Sequence, residues 1–147
     1  MPLSYALAAL MFAWPLSPTT VVRPFDPPPQ PWLAGHRGVD LAGVPGATVV
    51  SAAAGTVIFA GVVAGRGVVS VAHPDGLRTT YEPVAATVRT GDTVLAGTTV
   101  GTLVAGHPGC PVAACLHWGL RRMDVYLDPL TLAGRGRVRL LPLQKAA

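Results

Sequence analysis

The sequence predicts an all-β domain, a small antiparallel sheet or sandwich core made of short strands. Three observations carry that expectation. The 147 residues include 17 glycines and 15 prolines, and each would weaken a helix interior. Short apolar runs rich in β-branched residues recur between turn-forming residues. No window of eleven or more residues shows an apolar stripe of helical period. Hydrophobic residues make up 50% of the chain and charged residues 12%, a balance that excludes disorder. The glycines lack the three-residue period of collagen.

The elements follow in order. Residues 41–65 carry no charge and are long enough to cross a membrane. Five glycines, Pro45 and many β-branched residues instead make them two strands, 48–52 and 55–60, with a turn near Ala53–Gly55. No transmembrane span is expected. Strands at 67–73 and 78–81 flank His73-Pro74-Asp75-Gly76, a strong hairpin signal. Further runs at 98–104, 115–121 and 138–141 complete the set, and several short strands at this spacing make a sandwich or barrel-like assembly.

Four segments are expected. Residues 1–20 hold no charged side chain and include an apolar stretch over 5–16, so 1–22 reads as a signal peptide or signal-like leader, although no basic residue precedes it and Pro15 interrupts it. Residues 23–31, RPFDPPPQP, form an extended polyproline-like connector. The domain spans 32–130, and 131–147 is a basic C-terminal strand and tail. The leader and connector predict a secreted, extracytoplasmic protein.

The formal charge is +4, with 11 basic residues and 7 acidic ones. Arg135, Arg137 and Arg139 alternate, which would set three guanidinium groups on one face of a strand; a solvated face is the simpler role for them. No basic run is interleaved with aromatics, and aromatic content is 6%, which argues against nucleic acid as a partner. An internal echo between residues 44–50 and 91–97 resembles the turns of biotinyl- or lipoyl-carrier sandwiches. Such carriers need a lysine at a hairpin tip, and the sole lysine is Lys145.

The chemistry-bearing residues cluster in two motifs. His36-Arg37-Gly38-Val39-Asp40 sets an imidazole and a carboxylate four residues apart. Cys115-Leu116-His117-Trp118 sets a thiol and an imidazole two apart, which on a strand share a face. Two histidines and one aspartate suit zinc with an open fourth position. Cys110 and Cys115 leave three readings open: a disulfide, the simplest in an exported protein; Cys115 as a thiolate ligand closing the site; or a buried free thiol. His73 reads as a turn or surface residue, and His107 as loop surface that could approach the groove. Trp32 and Trp118 flank the ligand motifs as core residues or groove walls.

The order GHRGVDLA, a Gly-Thr-Val strand, HPDGLRTTYEPV, GDTVLAGTTVGTL, then CLHWGLRR with YLDPL resembles the lysostaphin/LytM-type zinc metallopeptidases, endopeptidases of cell-wall peptidoglycan. The resemblance covers about residues 32–130. It implies a small antiparallel β core with a groove, one zinc ion, and peptidoglycan peptides as partners. It also implies His36 and Asp40 as the ligands of an H-x-x-x-D motif and His117 as the last histidine of H-x-H. Two departures stand out. Cys115 replaces the first histidine of H-x-H, and Pro83 in Tyr81-Glu82-Pro83 replaces the histidine of Tyr-x-His. Both are catalytic positions in the family. Proline transfers no proton, and a thiol is a poor substitute for imidazole. Glu82 lies beside the lost position, but in an extended segment it faces the opposite side from residue 83. The expectation is a catalytically degenerate domain that binds cell wall or a partner hydrolase; the alternative is an active zinc endopeptidase.

Overall fold

The computed structural model describes residues 11–137. In chain order the elements are β1 (Val21–Arg23), β2 (Val39–Gly43), β3 (Thr48–Val50), β4 (Gly55–Val63), β5 (Arg66–Ala72), β6 (Leu77–Glu82), β7 (Val84–Ala86), β8 (Thr93–Val94), β9 (Thr99–Leu103), β10 (Ala114–Arg122), β11 (Val125–Leu127) and α1 (Leu130–Arg137). The larger sheet runs β1-β2-β10-β6-β5-β4-β8, with β11 on β10, and the smaller runs β3-β9-β7. All pairings are antiparallel. The all-β expectation holds. Six of the expected runs become β3, β4, β5, β6, β9 and β10, while the run at 138–141 lies outside the described residues.

Period-two patterning builds the core. On β6, Leu77, Thr79 and Tyr81 are buried while Arg78, Thr80 and Glu82 are not. On β10, Leu116, Trp118 and Leu120 are buried. Register aligns Val39, Trp118, Tyr81 and Val69 in one inward row across four strands. Val49, Val84, Val100 and Leu103 of the smaller sheet join the same cluster, so the core lies between the two sheets. The opposite face of the larger sheet is left for chemistry.

The expected hairpin joins β5 to β6. Asp75 and Gly76 both take positive φ, 68° and 73°, which a short polar side chain and glycine tolerate. His73 closes this turn and is not a surface residue. Its Nδ1 donates to the Ala54 carbonyl at 2.7 Å, so Nε2 accepts from the Thr79 hydroxyl, also at 2.7 Å. Thr79 Oγ1 in turn accepts from the Tyr81 hydroxyl at 2.7 Å, and Tyr81 accepts from Ala52 N–H at 2.9 Å. With His73 as the neutral Nδ1–H tautomer, each donor in this chain is matched to one acceptor.

The ends depart from the expected segments. Residues at 12–16, assigned to the leader, belong to the folded body: Leu16 is buried, Phe12 and Trp14 pack on the core, and Val50 N–H donates to the Pro15 carbonyl at 3.0 Å. Residues 1–10 lie outside the described part. The proline-rich stretch docks instead of spacing: Asp26 and His36 exchange backbone hydrogen bonds of 2.8 and 2.7 Å, and Phe25 packs on the core. The expected basic strand from 131 is helical through Arg137. Asp128 Oδ1 accepts from Leu130 N–H at 3.0 Å, and Leu132 seats in the core; this capped, anchored turn overrides the alternation of Arg135 and Arg137. Arg139 lies beyond the described residues. Among the described residues no helix is long and apolar enough to cross a membrane.

Burial pushes the His73 pKa below its ordinary 6.5, against the pull of the Ala54 carbonyl. The folded state therefore prefers neutral His73. Its contribution to stability is complete above pH 6.5 and is lost as pH falls through the lowered folded value. The free-energy advantage of the native chain over His73→Gln, measured by urea unfolding, should shrink as pH is lowered from 7.5 to 5.

Candidate metal centre

The outward face of the larger sheet gathers the site. β10 pairs with β2 so that His117 opposes Asp40, and with β6 so that the same His117 opposes Glu82. Directly opposed residues share a face, so Asp40, His117 and Glu82 form one row across three strands. His36 enters from the segment before β2. Gly38 keeps this corner open: a Cβ there would lie 2.8 Å from His117 Nε2 and 2.6 Å from the Trp118 carbonyl.

Asp40 is the hub. Its Oδ1 lies 3.0 Å from His36 Nε2 and 2.9 Å from His117 Nδ1, and its Oδ2 lies 3.1 Å from His107 Nε2. His36 Nδ1 is 2.9 Å from the Pro24 carbonyl, an acceptor only, so Nδ1 carries the proton. A neutral His36 then turns the lone pair of Nε2 toward a carboxylate lone pair. Two facing lone pairs need a cation between them, either a second proton or a metal ion. Backbone-carbonyl support of the distal imidazole nitrogen is also how metal-ligating histidines are oriented. One donor atom each from His36, Asp40 and His117 lies within 4.8 Å of the others, so this trio fits a metal ion. Burial alone would raise the Asp40 pKa; the His117 hydrogen bond, with the charges that His107 and His36 carry when protonated, outweighs it and holds the carboxyl below its ordinary value.

The remaining expected residues fall on both sides of this site. Cys110 and Cys115 form a disulfide with Cα atoms 5.7 Å apart. Cys115 is therefore neither a thiolate ligand nor a free thiol, and its sulfur cannot exchange protons, which corrects its standing as a catalytic candidate. Glu82 lines the groove beside His36 and His117. The Pro83 carbonyl accepts from Val104 N–H of the neighbouring loop at 3.0 Å. Trp118 is fully buried against Trp14 and Phe12 and so is no groove wall, while Trp32 is 77% exposed.

His107 was the residue least legible in advance. The loop carrying it is tied to β10 by the disulfide, and Cys110 N–H donates to the His107 carbonyl at 3.2 Å, which turns the imidazole onto Asp40. Arg37, Arg66, Arg78 and Arg121 also line the groove. For Arg78 and Arg121 the signal was the alternation Arg78, Thr80, Glu82 and His117, Gly119, Arg121, usable only with the register in hand.

Comparison with known proteins accords with this geometry. The Peptidase family M23 profile matches residues 34–129. The chain belongs to Peptidase family M23. It is 56% identical over 135 residues to the uncharacterized protein Rv2891 of Mycobacterium tuberculosis, a match covering 88% of this chain and 54% of that protein. The chain thus spans about half the length of its mycobacterial relative. A chain of the SpoIIIAH–SpoIIQ complex is similar in structure, with a TM-score of 0.67 and 25% identity over 82% of this chain and 98% of that one. A zinc-containing peptidase from Vibrio cholerae shares the fold at a TM-score of 0.67 and 23% identity, over 80% of this chain and 38% of that one.

The disulfide closes a short loop, with a sequence separation of 5. A loop of that length constrains the unfolded chain by about 2 kcal/mol. The double variant Cys110→Ala/Cys115→Ala should lose at least that much in urea unfolding and should lose amide-exchange protection around His107; unchanged protection there would separate the disulfide from the site.

Proposed function

We propose that the chain is an exported M23-family module that holds zinc at His36, Asp40 and His117, engages the peptides of cell-wall peptidoglycan or a partner hydrolase bound to them, and does not itself hydrolyse peptide bonds. The observation that carries this reading is the disulfide at Cys115. The position that supplies a catalytic imidazole in the resembled family is occupied by a sulfur that cannot titrate, and Pro83, at the other such position, has no ionisable group. Zinc bound at the trio would polarise a carbonyl oxygen and acidify water. His36 would bind through Nε2 with Pro24 holding its ring, and Asp40 through Oδ1 with His107 on its other oxygen. Two imidazoles and a carboxylate form a donor set that zinc accepts, and the disulfide suits an oxidising compartment outside the cytoplasm.

A second reading has one observation in its favour. Glu82 shares the row of Asp40 and His117 and, among the described residues, is the one carboxylate lining the groove, so an active endopeptidase would use it to accept the proton of attacking water. Its Oε2 lies 3.7 Å from Arg66 Nε, and this pairing engages it away from an attacking water, which favours the non-hydrolytic reading.

The purified protein should bind about one zinc per chain by elemental analysis, and Asp40→Asn should abolish it. Zinc at 100-fold over its dissociation constant should stabilise the fold by about 2.7 kcal/mol, a rise of roughly 5–10 °C in Tm for a chain of this size. Peptidoglycan incubated with the zinc-loaded protein should release no new amino groups. Release at enzymatic rates, lost in Asp40→Asn and reduced about 10²–10⁴-fold in Glu82→Gln, would overturn the reading in favour of the active enzyme.

A further inference from the structure

The face that carries the metal trio continues along β6 and β10 into a trough with a different chemistry. Beyond the His117–Glu82 row, Gly119 opposes Thr80 and then Arg121 opposes Arg78. At about 3.3 Å of strand rise per residue, the arginine pair lies roughly 13 Å from that row. Like charges directly opposed on neighbouring strands repel. Among the described residues, the one arginine–carboxylate ion pair is Arg66–Glu82. Asp124 lines an adjoining depression with Arg78 and Arg121 but pairs with neither.

The two guanidinium groups are set differently. Arg121 is held: its Nε donates to the Met123 carbonyl at 2.9 Å, and its Cζ lies 5.6 Å from the centre of the Tyr126 ring. Arg78 makes no side-chain hydrogen bond among the described residues. The floor between them and the metal trio is low, because a Cβ at Gly119 would meet only the Arg37 carbonyl, at 3.6 Å. The trough encloses ≈ 480 Å³. A preorganised arginine, a free one facing it, and a short uncharged floor leading to the metal trio make a site for an anion attached to an extended chain. A carboxylate fits because a guanidinium meets it with two parallel hydrogen bonds.

We propose that this trough binds an extended acidic peptide, with one end at His36, Asp40 and His117 and a carboxylate about four residues away between Arg78 and Arg121. The proposal rests on the peptide-binding reading above and adds the ligand's charge and the spacing of its anchor. It also accounts for an uncompensated arginine pair in a chain with few charges.

The test uses the zinc-loaded protein and two N-acetylated pentapeptides, Ala-Ala-Ala-Ala-Glu with a free C-terminus and the uncharged Ala-Ala-Ala-Ala-Gln amide, with binding followed by calorimetry and zinc content measured alongside. The acidic peptide should bind at least tenfold more tightly than the amide. Arg78→Gln should remove that preference while leaving zinc content and Tm unchanged or Tm slightly raised, since it relieves like-charge repulsion. Gly119→Val should also weaken binding by filling the floor, with no charge removed. Equal binding of the two peptides, an unaltered preference in Arg78→Gln, or binding of a polyphosphate but not of the acidic peptide would overturn the proposal. Zinc bound without any preference for the acidic peptide would sink the proposal and leave the metal reading standing. An Arg78-dependent preference in protein that takes up no zinc would do the reverse.

Discussion

The register of β10 is the constraint on which the rest depends. This strand is hydrogen-bonded on one side to β2 and on the other to β6, and a strand buried on one face cannot slip by one residue without exchanging its faces. In the observed register Leu116, Trp118 and Leu120 fill the core, while His117, Gly119 and Arg121 point to the groove. A slip would bury an imidazole and a guanidinium and expose an indole, at a cost far above the margin on which a domain of this size folds. Core packing thereby fixes the position of the site. The large apolar side chains hold His117 opposite Asp40 without any bond between the two being needed to set the strands.

Asp40 then organises what the register delivers. A single buried carboxylate, 2% exposed, faces three imidazoles. The hydrogen-bonding capacity of such a group is satisfied only if cations or protons are shared among its neighbours. The two segments that bring His36 and His107 to it have little regular structure of their own. The first is held by backbone pairing with Asp26 and by the Pro24 carbonyl, and the second by the disulfide. If Cys115 stands where the resembled family places a catalytic imidazole, as proposed, a proton-transfer group is exchanged there for a covalent tie on a site-facing loop. That exchange is what the proposed non-hydrolytic role would tolerate and an active peptidase would not.

Much of this was legible in the sequence, for identifiable reasons. The hairpin at residues 73–76 and the strands around it followed from local turn chemistry and alternation, which need no tertiary information. His36, Asp40 and His117 followed from motif order. The strands β1, β2, β7, β8 and β11 were not legible: four of them hold two or three residues, too little pattern without a neighbour to pair with, and β2 buries Val39, Asp40 and Leu41 in succession and so shows no alternation. His107 was read as loop surface because its contact with Asp40 spans 67 residues and depends on the disulfide. His73 was read as a turn or surface residue because its partners, Ala54 in the bend before β4 and Thr79 of β6, are brought to it only by strand pairing. The arginine trough was written in the alternation of β6 and β10, but which alternations share a face is decided by pairing between distant segments. The C-terminal alternation of arginines misled, since a cap at Asp128 and the burial of Leu132 decide that backbone.

Nitrogen-15 NMR of the histidine rings, without and with one equivalent of zinc, tests most directly that Asp40 gathers these imidazoles around a metal. The account predicts that His36 carries its proton on Nδ1, and that zinc shifts His36 Nε2 and His117 Nδ1 while leaving His73, buried in its own hydrogen-bond chain, unchanged. A His36 ring protonated only on Nε2, or zinc that moves none of these nitrogens, would contradict it.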